Sequence, residues 1–183
     1  MLWNILIIRH NGAYIPYGIA LWGIFRKEVK NMGNRYKTTH YKSSVQFYGT
    51  TPQDILATTL ITNPLTLALG NRVTDTGCAI DFVANDISIE SNGLYRASAD
   101  VEVVGTTAGD VTFALTLNGE ILPETLRTVT LVAGASQIVP LETVRNLNTC
   151  CQFTSRNIGI IAFSDGTGVG TVTRVSGNVI KLA

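Results

Sequence analysis

From Tyr95 to Gly119 the chain twice repeats one pattern. Tyr95, Ala97, Ala99, Val101 and Val103 alternate with Arg96, Ser98, Asp100 and Glu102. After a turn at residues 105–109, Val111, Phe113, Leu115 and Leu117 alternate with Thr112, Ala114 and Thr116 as far as Asn118-Gly119. A period of two sends successive side chains to opposite faces of a β-strand, and Asn-Gly suits the type I′ turn that closes a hairpin. Apolar faces of this kind have to be buried against another layer, which points to a sheet packed on a sheet.

The stretches around this pair agree. Apolar runs at 65–69, 80–83 and 87–89 end at Gly70-Asn71 or Ser91-Asn92-Gly93. Further strands are expected at 127–132, 137–141, 150–153, 158–163, 169–175 and 179–182, with turn residues between them. Many short strands at this spacing indicate an antiparallel sandwich or barrel. The one helix the sequence suggests is a turn or two after Thr51-Pro52-Gln53-Asp54, where Thr51 would cap and Pro52 would occupy the first turn.

The chain has 183 residues, room for one domain with a real core plus an extension. Only 15% of the residues are charged, where a typical soluble domain carries roughly a quarter, so part of the surface is expected to lie against partner subunits. The net charge of +1 is uneven. Arg9, Arg26, Lys27, Lys30, Arg35, Lys37 and Lys42 stand against Glu28 alone in residues 1–42, which leaves the rest of the chain acidic. That body has no Lys/Arg cluster to neutralise phosphates, and the basic and aromatic stretch at 34–42 reads as a solvated tail, so no nucleic-acid partner is expected.

The apolar runs at 2–8 and 13–25 are each too short to span a membrane, and the second contains Pro16. The cations Arg26 and Lys27 follow the apolar run where a signal peptide would place them before it. Lys27-Glu28-Val29 can be encoded by a purine-rich ribosome-binding sequence at the usual distance before Met32. The expectation is therefore that translation starts at Met32 and that residues 1–31 are untranslated leader, or else a hydrophobic extension. Retention of Trp3 in the purified protein would refute the leader. Residues 32–64 are then an attachment or linker segment, and 65–183 the folded domain.

Reactive chemistry is sparse. His10 and His40 both lie outside the strand region, so its own residues cannot supply a Ser-His-Asp, Cys-His or histidine-metal site. Asp81, Asp86, Glu90, Asp100, Glu102 and Asp110 fall on strand exteriors and turns and read as a solvated face. Cys78, Cys150 and Cys151 lack the spacing of a disulfide framework or zinc site and read as small buried thiols. The glycine-rich loop at 165–170 lacks the Lys-Ser/Thr ending of a phosphate cradle and reads as a tight connection between strands. Neither a catalytic residue nor a cofactor or metal is expected.

The run Ile87-Ser88-Ile89-Glu90-Ser91-Asn92-Gly93-Leu94-Tyr95-Arg96-Ala97-Ser98-Ala99-Asp100-Val101, then 107–113 and 117–123, resembles the trimeric jelly-roll domains of the tumour-necrosis-factor and complement-head superfamily. It is most similar to the versions in phage structural proteins and bacterial spore-surface glycoproteins, some of which carry a vicinal Cys-Cys like Cys150-Cys151. The resemblance covers residues 65–183. No Gly-X-Y repeat precedes the domain, unlike the collagen-tailed members.

The resemblance implies an all-β, antiparallel ten-stranded jelly roll that assembles as a homotrimer through a largely apolar interface. It also implies a non-enzymatic virion structural or adhesion protein, a head fibre, decoration or fibre tip, held by its N-terminal segment to other virion proteins. Candidate contacts to a host-surface glycan or protein are the outer-loop residues Thr106, Thr107, Asp110, Asp165 and Thr167. A spore- or cell-surface protein of the same fold and a carbohydrate-binding β-sandwich module are the alternatives. The latter is disfavoured because Phe82, Tyr95, Phe113, Phe153 and Phe163 mostly fall on apolar faces. A hydrolase is disfavoured by the positions of the histidines.

Overall fold

A computed structural model of the chain describes residues 43–83, 85–147 and 156–183. Among them, thirteen strands form two antiparallel sheets. The first sheet runs, edge to edge, β11 (Ser136–Leu147), β7 (Gly93–Thr107), β13 (Val169–Lys181), β1 (Ser44–Gly49) and β4 (Asn71–Thr76). The second runs β10 (Arg127–Leu131), β8 (Gly109–Leu117), β12 (Arg156–Ser164), β6 (Asp86–Ile89) and β5 (Ile80–Val83). These ten carry the jelly roll. Three short strands pair at their margins: β2 (Gln53–Ile55) on β13, β3 (Leu65–Thr66) on β12 and β9 (Glu120–Ile121) on β8.

The alternation read from the sequence sets the core. Tyr95, Ala97, Ala99, Val101 and Val103 of β7 face Val111, Phe113 and Leu115 of β8 across the sandwich, joined by Ile87, Ile89, Ile158, Ile160, Val172, Val175 and Val179. Asn118 adopts φ 53° and Gly119 φ 81°, the paired positive values of a type I′ turn. Behind β9 a single 3-10 turn, Pro123–Thr125, is held by Thr125, which is fully buried. The second half of β8 is closed on both faces, since Ala114 and Thr116 on the face away from the core are also buried, while Asp110 and Thr112 on that face are partly exposed.

Four expectations about the strands are corrected. The sandwich begins at Ser44 and not at residue 65: β1 pairs with β13 along its whole length, burying Val45 and Phe47 while Gln46 and Tyr48 stay exposed. The expected helix after Thr51 is strand β2. Gln53 mimics a strand partner there, accepting from Ala68 N at 2.6 Å and donating to Ala68 O at 3.1 Å, while Ile55 is buried. The expected break at Ser176-Gly177-Asn178 is continuous strand. Gly177 sits opposite Phe47, and the missing side chain makes room for that ring. Likewise β11 runs through Asn146 to Leu147, paired with β7 throughout.

Cys78 is exposed where a buried thiol was expected. It lies in the bend between β4 and β5. Cys150, Cys151 and Phe153 lie outside the described residues, as do both histidines and the segment proposed as leader. Among the described residues no helix is long and apolar enough to cross a membrane.

Candidate interaction surface

The topology gathers four connections at one end of the sandwich. Ala108 links β7 to β8 and residues 165–168 link β12 to β13. Residues 132–135 link β10 to β11 beside Gly105, whose N–H donates to Ala135 O at 3.0 Å and whose carbonyl accepts from Gly134 N at 2.8 Å. Residues 56–64 link β2 to β3. The pairing of Ile55 with Gly170 and the bond from Ser164 N to Thr59 O at 2.6 Å hold this last connection at the same end.

Four of the five residues singled out from the sequence form one hydrogen-bonded unit here. Asp165 Oδ1 accepts from Thr167 N at 2.9 Å, Thr167 Oγ1 at 2.7 Å and Gly168 N at 3.2 Å, an Asx-type turn. Asp165 N donates to Asp110 O at 3.1 Å, and Thr107 Oγ1 donates to Thr167 O at 3.1 Å. Asp110 Oδ1 accepts from Thr130 Oγ1 at 2.6 Å. Thr106 is exposed near the end of β7.

Glycines permit the close approach of the two loops. A Cβ on Gly109, at φ 151°, would stand 2.3 Å from Gly168 N, and one on Gly168 would stand 2.9 Å from Asp110 O. The Thr167 hydroxyl, followed by the Thr167 and Gly168 amides, holds the Asp165 carboxyl below the usual aspartate range.

Sequence reasoning missed the apolar part of this end. Leu56, Leu60 and Ile61 on the β2–β3 connection and Val132 on the β10–β11 connection are exposed, Ile61 to 60% and Val132 to 57%. The signal was present in Leu60-Ile61, an apolar pair inside a threonine-rich stretch, but it was absorbed into a supposed linker. Across residues 50–66, 104–110, 131–137 and 164–171 there is no Lys, Arg, His or aromatic residue. The acidic groups are Asp54, Asp110 and Asp165, each accepting from a threonine hydroxyl, Asp54 from Thr171 Oγ1 at 2.8 Å.

Away from this end several charged side chains pair with one another. Arg96 Nε lies 2.7 Å from Glu142 Oε1, and Arg145 Nη2 lies 2.7 Å from Glu124 Oε1. Arg174 Nε is 3.3 Å from Glu102 Oε2, close enough for an ion pair though not aligned as a hydrogen bond. Glu124 is held below the usual glutamate range, first by its own backbone N–H and then by Arg145. No three His, Cys, Asp or Glu side chains gather to hold a metal ion among the described residues.

No family model matches the chain, and no curated protein matches it in sequence. Solved structures do. Murine APRIL at pH 5.0 superposes with a TM-score of 0.57 at 11% identity, over 77% of this chain and 99% of that one. The PRD1 vertex protein P5 gives 0.51 at 14% identity, over 77% and 97%. The globular domain of zebrafish complement 1qA protein gives 0.50 at 9% identity, over 78% and 98%. At such identities the likeness concerns the fold. The chain is an all-β antiparallel sandwich with the jelly roll of the tumour-necrosis-factor and complement-head-like domains.

Proposed function

We propose that the protein is a non-enzymatic structural and adhesion module of a phage particle, a homotrimeric jelly roll that presents one loop end to the host surface. The likeness to the solved chain of the PRD1 vertex protein P5, 97% of which is covered, is the observation that carries the virion reading. Residues 32–42 serve as the attachment segment to other virion proteins. The β1 and β2 stretch, first assigned to that segment, belongs to the jelly roll.

Two surface features support assembly. The outer face of the first sheet carries Arg96 with Glu142 and Arg174 with Glu102 as matched pairs, so it can be covered by another copy without leaving those four charges unpaired. On the same face β11 exposes Ile138 at 57% and Val144 at 52%, apolar side chains at a free sheet edge. A closed ring of copies hides both.

Proteomics of purified particles from an induced bacterial culture that carries the gene tests the virion reading. The chain is expected in stoichiometric amount with capsid proteins after density-gradient purification. Its absence from intact particles, with the protein found only in spores or at the cell surface, would favour the alternative location for the same fold.

A further inference from the structure

The proposed adhesion role leaves two classes of host ligand, glycan and protein, and the chemistry of the loop end separates them. A sugar ring is held by an aromatic platform against its C–H face together with convergent polar side chains. Residues 50–66, 104–110, 131–137 and 164–171 contain no Phe, Tyr or Trp. A phosphorylated or sulfated polymer, or an anionic membrane, is held by Arg and Lys. The same segments contain neither, and they carry Asp54, Asp110 and Asp165.

The carboxylates at this end, and Thr107 with them, are committed to the loops themselves. Asp165 takes three donors from its own turn, Asp110 takes Thr130, Asp54 takes Thr171, and Thr107 donates to the Thr167 carbonyl. Among exposed Thr58, Thr62, Asn63 and Thr106, four large apolar side chains project outward: Leu56 at 52% exposure, Leu60 at 41%, Ile61 at 60% and Val132 at 57%. Exposed apolar side chains on loops braced by internal hydrogen bonds describe a preformed contact surface, one that loses little conformational freedom on binding.

We propose, building on the adhesion reading, that this end of the sandwich docks a host-surface protein whose contact patch has an apolar centre and a Lys/Arg rim. The apolar centre covers Leu60 and Ile61. The rim faces the three carboxylates, which give the end a negative potential with no cation of its own to oppose it. The same side chains argue against glycans, teichoic-type phosphate polymers and anionic lipid as the primary ligand.

The test uses the full-length chain, fluorescently labelled, on intact cells from a panel of Gram-negative and Gram-positive bacteria. Each cell type is presented untreated, shaved with protease, or oxidised with periodate. Binding to at least one cell type is expected, lost after shaving and kept after periodate. Leu60→Asp and Ile61→Asp, both at exposed positions, are expected to weaken it by about tenfold or more, and higher ionic strength to weaken it further. Binding that survives shaving and is lost to periodate would overturn the proposal in favour of a glycan. So would unchanged binding by both variants, adhesion to anionic vesicles of phosphatidylglycerol, or no binding to any cell. The oligomeric mass of wild type and variants is measured alongside. A trimer that shows no binding dependent on Leu60 and Ile61 refutes this inference alone, whereas a monomeric wild type refutes the underlying assembly reading.

Discussion

Gly177 of β13 lies directly opposite Phe47 of β1, and a Cβ placed on Gly177 would stand 2.6 Å from Phe47 Cζ and 2.3 Å from the Ser98 carbonyl oxygen. The backbone oxygen cannot move without disturbing the β13–β7 ladder, in which Gly177 pairs with Ala99. Gly177→Ala is therefore expected to lower stability by about 1–3 kcal/mol through overpacking. Urea denaturation of the variant checks it, and Phe47→Leu in the same background should recover part of the loss by giving the new methyl room.

Thr125 ties the 3-10 turn to the strand that carries the alternating pattern. Its Oγ1 donates to Leu122 O at 2.8 Å and accepts from Leu115 N at 2.9 Å, with the residue fully buried. Thr125→Val keeps the shape but removes the acceptor for the Leu115 N–H, while Leu122 O keeps the Thr125 backbone N–H at 2.9 Å; the unpaired amide should cost about 1–3 kcal/mol. Thr125→Ser should cost less, because it keeps both bonds and loses only a methyl group. Equal destabilisation of the two variants in thermal melts would show that the hydroxyl is not what matters.

These two sites mark where the sequence could and could not be read. The alternation of β7 and β8 was legible because one face of each is driven into the core, and Asn118-Gly119 announced its turn by composition. Strand β4 was missed because Asn71–Thr76 is exposed along its whole length, leaving no periodic signal. Strand β2 was missed because it is only three residues long and pairs with β13 more than a hundred residues later, while its Gln53 side chain bonds the Ala68 backbone, and neither leaves a periodic pattern in sequence. Ser176-Gly177-Asn178 has the composition of a turn, yet its glycine answers a packing demand made by Phe47, more than a hundred residues earlier. At the loop end, Asp110, Asp165 and Thr167 were legible as turn residues. Their union with Leu60, Ile61 and Val132 depends on long-range pairing that only the fold supplies.

Gln53 offers a sharp test of the β2 correction. Gln53→Glu can still accept from Ala68 N but can no longer donate to Ala68 O, and Gln53→Ala can do neither. Amide exchange at Ala68 and proteolysis within residues 56–64 should increase in the order wild type, Glu, Ala. A helix at this position would instead leave the Ala68 amide indifferent to both substitutions.

Two aspartates are expected to titrate on opposite sides of the ordinary value. Asp165 is held down by the Thr167 hydroxyl and the Thr167 and Gly168 amides, whereas burial raises Asp86, whose Oδ1 lies over Gly159. The stabilisation that Asp165 gives its loop is present above the unfolded aspartate pKa and is lost as the pH falls through its depressed folded value. Asp86 has the reverse sign: its carboxylate opposes folding once the pH rises above the unfolded value, and protonation relieves it. Carboxyl carbon shifts followed by NMR through the acid range should show Asp86 protonating first as the pH falls. Thr167→Val should move the Asp165 titration up toward the ordinary aspartate range, and an Asp165 titration that the substitution leaves in place would mean that the threonine hydroxyl is not the main support.

The most direct test of the account is the mass of the full-length chain in solution, measured by sedimentation velocity at micromolar concentration beside an Ile138→Asp, Val144→Asp variant. Assembly through the outer face of the first sheet predicts three times the chain mass for wild type, and a folded monomer for the variant, since both side chains are already exposed within the protomer. A wild-type protein that stays monomeric at that concentration would contradict the account.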